Sequence, residues 1–319
     1  MPHLWLFIAG IVLSAGCSAP PAVTSPAPSG GAVRGHLLIM GGGPRPVEMM
    51  RHFVELAGGP GRARILVLPM ASGVPEEVGA EQAEELRGLG AEARSLNLSR
   101  AEATSDTILR LFEGITGVWF SGGDQSRLTA AILGTLVDSV IHVRYREGAV
   151  VGGTSAGAAV MSRRMITGEE RRPGGERPPA SPSAADAFLT IDRDNVVVEE
   201  GFDLLPSAIV DQHFVRRKRH NRLISLVLEH PEEIGVGIDE STALQVNPDG
   251  SWTVVGASSV VVYDARGARI TPPEDPVLGA AEVRLHVLPA GSSFDPRTGR
   301  AALPSGTRSR SSAIRTTPR

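Results

Sequence analysis

A chain of 319 residues, 41% hydrophobic and 21% charged, with 37 Gly and 24 Pro, is long enough to bury one generous core. A net charge of -3 excludes the global basic field on which nucleic-acid binding rests, and 4% aromatic residues leave little for base or sugar stacking. The single cysteine, Cys17, excludes an internal disulfide framework.

Residues 4–15 (LWLFIAGIVLSA) form an apolar run of signal-peptide length, too short to span a bilayer, and Ser14, Ala15 and Gly16 precede Cys17. The pattern resembles a bacterial lipoprotein signal over residues 1–17, although Met1-Pro2-His3 carries no Lys or Arg. The alternative is an ordinary cleaved secretory signal, with Cys17 incidental. Either way export is expected, with membrane contact only through a lipid anchor at Cys17. Residues 18–34 read as a Pro/Ser/Ala-rich tether, residues 35–296 as the folded domain, and residues 297–319, polar and aperiodic, as a disordered tail.

Within the domain, apolar strands are expected at 35–40, 64–69, 93–98, 117–121 and 149–152, separated by helical patterns at 47–57, 75–89, 105–112 and 124–133. Such alternation predicts an α/β fold, a mostly parallel sheet with helices on both faces. In that architecture the site lies beyond the carboxyl ends of the strands. Gly41-Gly42-Gly43 follows the first strand, but it lacks the G-x-G-x-x-G spacing and no Walker lysine follows, so a nucleotide loop is set aside. Residues 163–187, rich in Pro, Gly and charge, read as a long loop, either a substrate-facing flap or a floppy insertion. Short strands at 195–199 and 208–210, a basic helix at 215–229 and a buried strand at 234–238 follow, and the remainder to 288 reads as antiparallel β structure.

Gly153-Thr154-Ser155-Ala156-Gly157 is a G-x-S-x-G motif placed between a buried strand and a helix, the setting of a nucleophilic serine. The N–H of Ala156 then points at a forming oxyanion, with a second donor expected from Gly122 or Gly123. A base and an orienting acid are required. Of eight histidines, His213 alone follows an apolar strand and so belongs at the sheet edge with Ser155. Both Asp239 and Glu240 stand at the end of strand 234–238, whereas Asp211 is too near His213 in sequence to reach its far ring nitrogen. The order serine, histidine, acid is not that of the α/β-hydrolases. Arg216, Arg217, Lys218, Arg219 and Arg222 gather five cations in seven positions with no acid among them, a pattern suited to clamping carboxylates.

Four stretches in order, Ser121-Gly122-Gly123-Asp124-Gln125, Gly152 to Ala158, Asp211-Gln212-His213-Phe214 and Gly237 to Ala243, resemble the cyanophycinase family of serine peptidases. These are relatives of aspartyl dipeptidase on a class I glutamine-amidotransferase-like fold. The resemblance implies Ser155 as nucleophile, His213 as general base and Glu240 as orienting acid. It also implies a substrate pocket using Gln125, Asp211, Gln212, Arg217, Arg219 and Arg222. The expected activity is hydrolysis of β-linked Asp-Arg material through an acyl-enzyme. The expected partner is a peptide or polypeptide substrate; no nucleic acid, cofactor or metal is expected, and a homodimer is compatible with the sequence. Two alternatives stay open, an aspartyl dipeptidase or other peptidase of the same fold, and an inactive exported binding protein for acidic peptides.

Overall fold

Strand β1 (Leu37–Met40) is buried on both sides, and its alternation sorts the core into two layers. Leu37 and Ile39 pack into one cluster with Leu66, Leu68, Val118, Phe120 and Val151. Leu38 and Met40 pack into another with Phe53, Val54, Val67, Leu86 and Trp119. The structure, a computed structural model, describes residues 32–171 and 188–306. The expected signal with Cys17, nearly all of the tether, residues 172–187 of the expected loop and residues 307–319 of the expected tail lie outside the described residues.

After β1 come α1 (Val47–Leu56), β2 (Arg64–Leu68), α2 (Pro75–Gly88), β3 (Glu92–Ser95), α3 (Arg100–Ala103), a 3-10 helix (Asp106–Phe112) and β4 (Gly117–Phe120). Then come α4 (Gln125–Ile132), α5 (Leu136–Glu147), β5 (Val150–Thr154) and a one-turn helix α6 (Ala156–Ala159). Strands β1 to β5 form the parallel part of a sheet in the order β1-β5-β4-β2-β3. The expected parallel sheet is therefore present. Helix α5 fills a stretch for which the sequence suggested no element. Its buried residues Val137, Ile141 and Tyr145 recur at i, i+4 and i+8, diluted by charges at Asp138, Arg144, Arg146 and Glu147, and Gly148 at φ 119 ends it.

The second half departs more. Residues 163–187 are not all loop, because β6 (Arg164–Glu170) pairs antiparallel with β7 (Val196–Glu200), with an irregularity between Ile166 and Glu170. Strand β8 (Ala208–Gln212) leads into a turn, and α7 (His220–Glu229) begins only there, so four of the five clustered cations precede the helix. Strand β9 (Ile234–Ile238) runs parallel to β8. Next come β10 (Thr242–Val246), β11 (Trp252–Gly256), β12 (Ser259–Asp264), β13 (Arg269–Ile270), β14 (Ala280–Ala281), β15 (Arg284–Pro289), β16 (Ser293–Asp295) and β17 (Arg300–Ala302). The main sheet continues antiparallel from β1 through β10, β11, β16 and β17, so the expected tail starts later than residue 297.

A separate four-stranded sheet has the order β15-β12-β9-β8. The expectation that the histidine and serine share one sheet is corrected here, since β8 and β5 belong to different sheets. They are brought together because Val210, Val236, Ile238 and Val262 of the second sheet share a core with Ala158, Ala159 and Val160 around α6. The other face of the second sheet is covered by α7 through Leu223, Leu226 and Val227. Burial on both faces explains why both sheets read as apolar runs.

Candidate active site

Ser155 lies between β5 and α6 at φ 55 and ψ -111, a backbone region costing a side-chain-bearing residue about 1–3 kcal/mol. The two motif glycines let that turn close. A Cβ on Gly153 would lie 2.4 Å from the Gly157 carbonyl oxygen, and one on Gly157 would lie 2.3 Å from the Phe120 carbonyl oxygen. The serine hydroxyl is thereby held out from the sheet, 3.0 Å from His213 Nε2. His213 Nδ1 lies 2.6 Å from Glu240 Oε1. With Nδ1 facing a carboxylate, the neutral ring carries its proton there and Nε2 is left to accept from Ser155.

The structure decides between the two acids left open by the sequence. Asp239 accepts from the Arg216 N–H at 3.0 Å and from Ser258 Oγ at 2.8 Å, so its carboxylate braces two loops and only Glu240 reaches the imidazole. Gly122 adjoins the nucleophile, since a Cβ there would sit 3.4 Å from Ser155 Cβ. Ala156 opens α6, so its N–H has no partner within the helix.

Burial pushes the His213 imidazole below its ordinary value of 6.5; the Glu240 hydrogen bond opposes this, while Arg217 and Arg219 reinforce it. A base must be neutral to accept a proton, and the protonated form is inactive. Activity is therefore lost as pH falls through the lowered pKa of the folded protein. The acid limb of a kcat/KM–pH profile is expected to have its midpoint below 6.5, and a midpoint above it would contradict a desolvated base.

The remaining expected substrate contacts divide. Asp211 and Arg222 are paired with each other. Both are buried, and Arg222 donates from Nε to Asp211 Oδ2 at 2.7 Å and from Nη2 to Oδ1, with Phe188 stacked at 5.5 Å. Two of the five guanidinium N–H groups are thereby committed to an internal pair, which favours a structural role over the expected carboxylate clamp. Asp211 fits the structural role that its sequence position allowed.

Gln125 is also engaged, its Nε2 donating to the carbonyls of Ile166 at 2.6 Å and Thr167 at 2.7 Å, which ties α4 to the irregular part of β6. Gln212 is buried beside His213, and its Oε1 has no partner among the described residues, an arrangement compatible with a ligand donor. Arg219 donates to the Gln212 carbonyl at 2.8 Å, and burial first, then Arg222, draws its pKa down to about 10. Arg216, Arg217 and Lys218 are the exposed cations of the cluster.

Two features escaped the sequence. A cleft of about 480 Å³ beside Gly123 is lined by Asp124, Gln125, Ser126, Thr167, Glu169, Val197 and Glu199. Its far wall is the β6–β7 pair, and Thr167 is tied to β7 through the Val197 carbonyl at 3.0 Å. The charge-rich composition of residues 163–187 hid the strand that builds this wall. Among the described residues no group of three His, Cys, Asp or Glu side chains could hold a metal ion.

A serine on a strained strand-to-helix turn, hydrogen-bonded to a histidine that is in turn held by a glutamate, defines the serine-type hydrolases. The family model described as peptidase family S51 matches residues 37–254, a span that includes Ser155, His213 and Glu240. The chain belongs to peptidase family S51 and is a serine-type peptidase. It is 35% identical over 275 residues to a cyanophycinase of Trichormus variabilis, covering 82% of this chain and 86% of that protein. It is 33% identical over 276 residues to a cyanophycinase of Synechococcus elongatus, covering 83% and 80%. Among solved structures, a peptidase from an acI-B1 Actinobacterium shares the fold with a TM-score of 0.60 and 23% identity, over 83% of this chain and 98% of that one.

Proposed function

We propose that the chain is an exported cyanophycinase, hydrolysing multi-L-arginyl-poly-L-aspartate to β-Asp-Arg dipeptides. The carrying observation is the relay of Ser155, His213 and Glu240, combined with identity to named cyanophycinases over most of both chains. Ser155 Oγ attacks the scissile carbonyl carbon as its proton passes to His213 Nε2. The tetrahedral oxyanion is received by the N–H of Ala156 and one of Gly122 or Gly123. Collapse expels the amine, which takes the proton from His213 and leaves an acyl-enzyme. Water, deprotonated by His213, then releases the acid product and restores the serine.

The substrate carries both carboxylates and guanidinium groups, and the site offers a partner for each. Arg217 is exposed one turn from His213, with its N–H on the His213 carbonyl at 2.9 Å, and suits a carboxylate. The cleft lined by Asp124, Glu169 and Glu199 suits the arginine side chains. Export rests on the apolar run 4–15, with Cys17 as the candidate lipidated residue.

Incubation of the purified protein with cyanophycin, compared with α-Asp-X dipeptides, tests this reading by mass analysis of products. β-Asp-Arg released from the polymer is the expected result. Cleavage of the dipeptides alone would replace the reading with an aspartyl dipeptidase, and failure of a fluorophosphonate to label the protein would replace it with a binding protein.

A further inference from the structure

Three consecutive carbonyls at the end of β1 each accept a backbone N–H from a different catalytic segment. Met40 accepts from Ser155 at 3.1 Å, Gly41 from His213 at 2.6 Å, and Gly42 from Ser241, the residue after Glu240, at 2.9 Å. The three donors share an unusual conformation, at φ 55, 49 and 52 respectively. Residues with side chains hold positive φ only where their surroundings over-determine it. The first bond continues the β1–β5 ladder, in which Met40 is opposite Thr154. The third continues the β1–β10 register, in which Met40 is opposite Ala243, so only the His213 bond lies outside sheet pairing.

The same segment limits the catalytic side chains sterically. A Cβ on Gly42, at φ 95, would lie 2.3 Å from His213 Nε2 and 2.5 Å from Cε1. On Gly43, at φ 71, it would lie 2.8 Å from Glu240 Cβ and 2.9 Å from Oε2. Distances below 3.0 Å leave no room for any side chain without moving the ring or the carboxylate. Ser241 Oγ also donates to the Pro44 carbonyl at 2.9 Å, closing the acid-bearing turn onto the same strand end. The glycine run that resembles a phosphate loop is thus filled by the histidine and glutamate.

We propose that residues 40–43 are a positioning template for the catalytic triad, registering serine, histidine and acid, which come from two sheets, against one strand end. The inference rests on the reading of Ser155, His213 and Glu240 as the triad. The residues act through the triad, by the contacts they make with Ser155, His213, Glu240 and Ser241.

The test compares Gly42→Ala and Gly43→Ala with Gly250→Ala, a turn glycine at φ 83 around which a Cβ meets nothing within 4 Å. All three carry a similar backbone penalty, so melting temperature reports that shared cost and fluorophosphonate labelling reports the geometry of the serine. Gly42→Ala is expected to slow labelling at least about 100-fold, the cost of misplacing a reacting group by an ångström. Gly43→Ala is expected to slow labelling less and to move the acid limb of its pH profile to lower pH. The sign follows because the Glu240 hydrogen bond raises the His213 pKa, and displacing the carboxylate withdraws that support.

Gly250→Ala is expected to label like the wild type. Wild-type labelling rates in folded Gly42→Ala and Gly43→Ala overturn the inference, as does a loss that merely matches that of Gly250→Ala. Should Gly42→Ala not fold, the labelling rate of folded Gly43→Ala against Gly250→Ala decides, with the pH shift beside it. Wild-type protein that does not label, or Ser155→Ala that still labels, overturns the triad reading and the inference with it.

Discussion

Ser155→Ala is expected to lower kcat on the order of 10⁵–10⁶-fold and to abolish fluorophosphonate labelling, with the fold intact. In the proposed mechanism histidine, glutamate and oxyanion donors all act through that one oxygen, and a residual rate over water is all that remains without it. Stability should change little. The Ser155 hydroxyl is hydrogen-bonded to the His213 ring at 3.0 Å, and the turn is closed by Gly153 and Gly157 rather than by the serine side chain. Loss of that bond is worth about 0.5–1.5 kcal/mol, and alanine accepts the positive φ no worse than serine does. Turnover of cyanophycin and urea denaturation, measured on the same preparation, check both halves. A variant that folds and still turns over at the wild-type rate would remove Ser155 from the mechanism.

The contacts among Ser155, His213 and Glu240 were more legible in the sequence than the sheets that carry them. Ser155, His213 and Glu240 each stand where an apolar strand ends, and that local pattern survives in one dimension because strand ends carry both burial and function. What the pattern could not reveal is which sheet each strand joins. Ile234–Ile238 and Val150–Thr154 look alike as apolar runs, yet pairing partners separate them, and register is a long-range property. Helix α5 was obscured because its apolar stripe is only three residues deep, and β6 because Glu169, Glu170 and a glycine at φ 100 interrupt it. The arginine cluster shows the same limit. Five cations in a row of seven look equivalent in sequence, but a turn and a helix start place Arg217 in solvent and Arg222 in the core.

That division of the cluster carries the second large effect. Arg222→Met is expected to destabilise the fold by about 3–5 kcal/mol, because it leaves the Asp211 carboxylate buried and unpaired. The side chains of Asp211 and Arg222 are 0% and 3% exposed, so water cannot replace the lost guanidinium. Arg219 is the nearest substitute, but its Nη1 lies 3.8 Å from Asp211 Oδ1 and already donates to the Gln212 carbonyl. Converting both partners to apolar residues, Asp211→Leu with Arg222→Met, should recover most of the loss, since the cost belongs to the orphaned charge and not to the absence of the pair. A substrate clamp would behave oppositely, raising KM on cyanophycin in the single variant with its urea midpoint unchanged. The two outcomes share no region of overlap. A stable Arg222→Met protein with a raised KM would return Arg222 to the substrate pocket, whereas a destabilised one rescued by Asp211→Leu leaves Arg217 as the cation of this cluster placed to meet a substrate carboxylate.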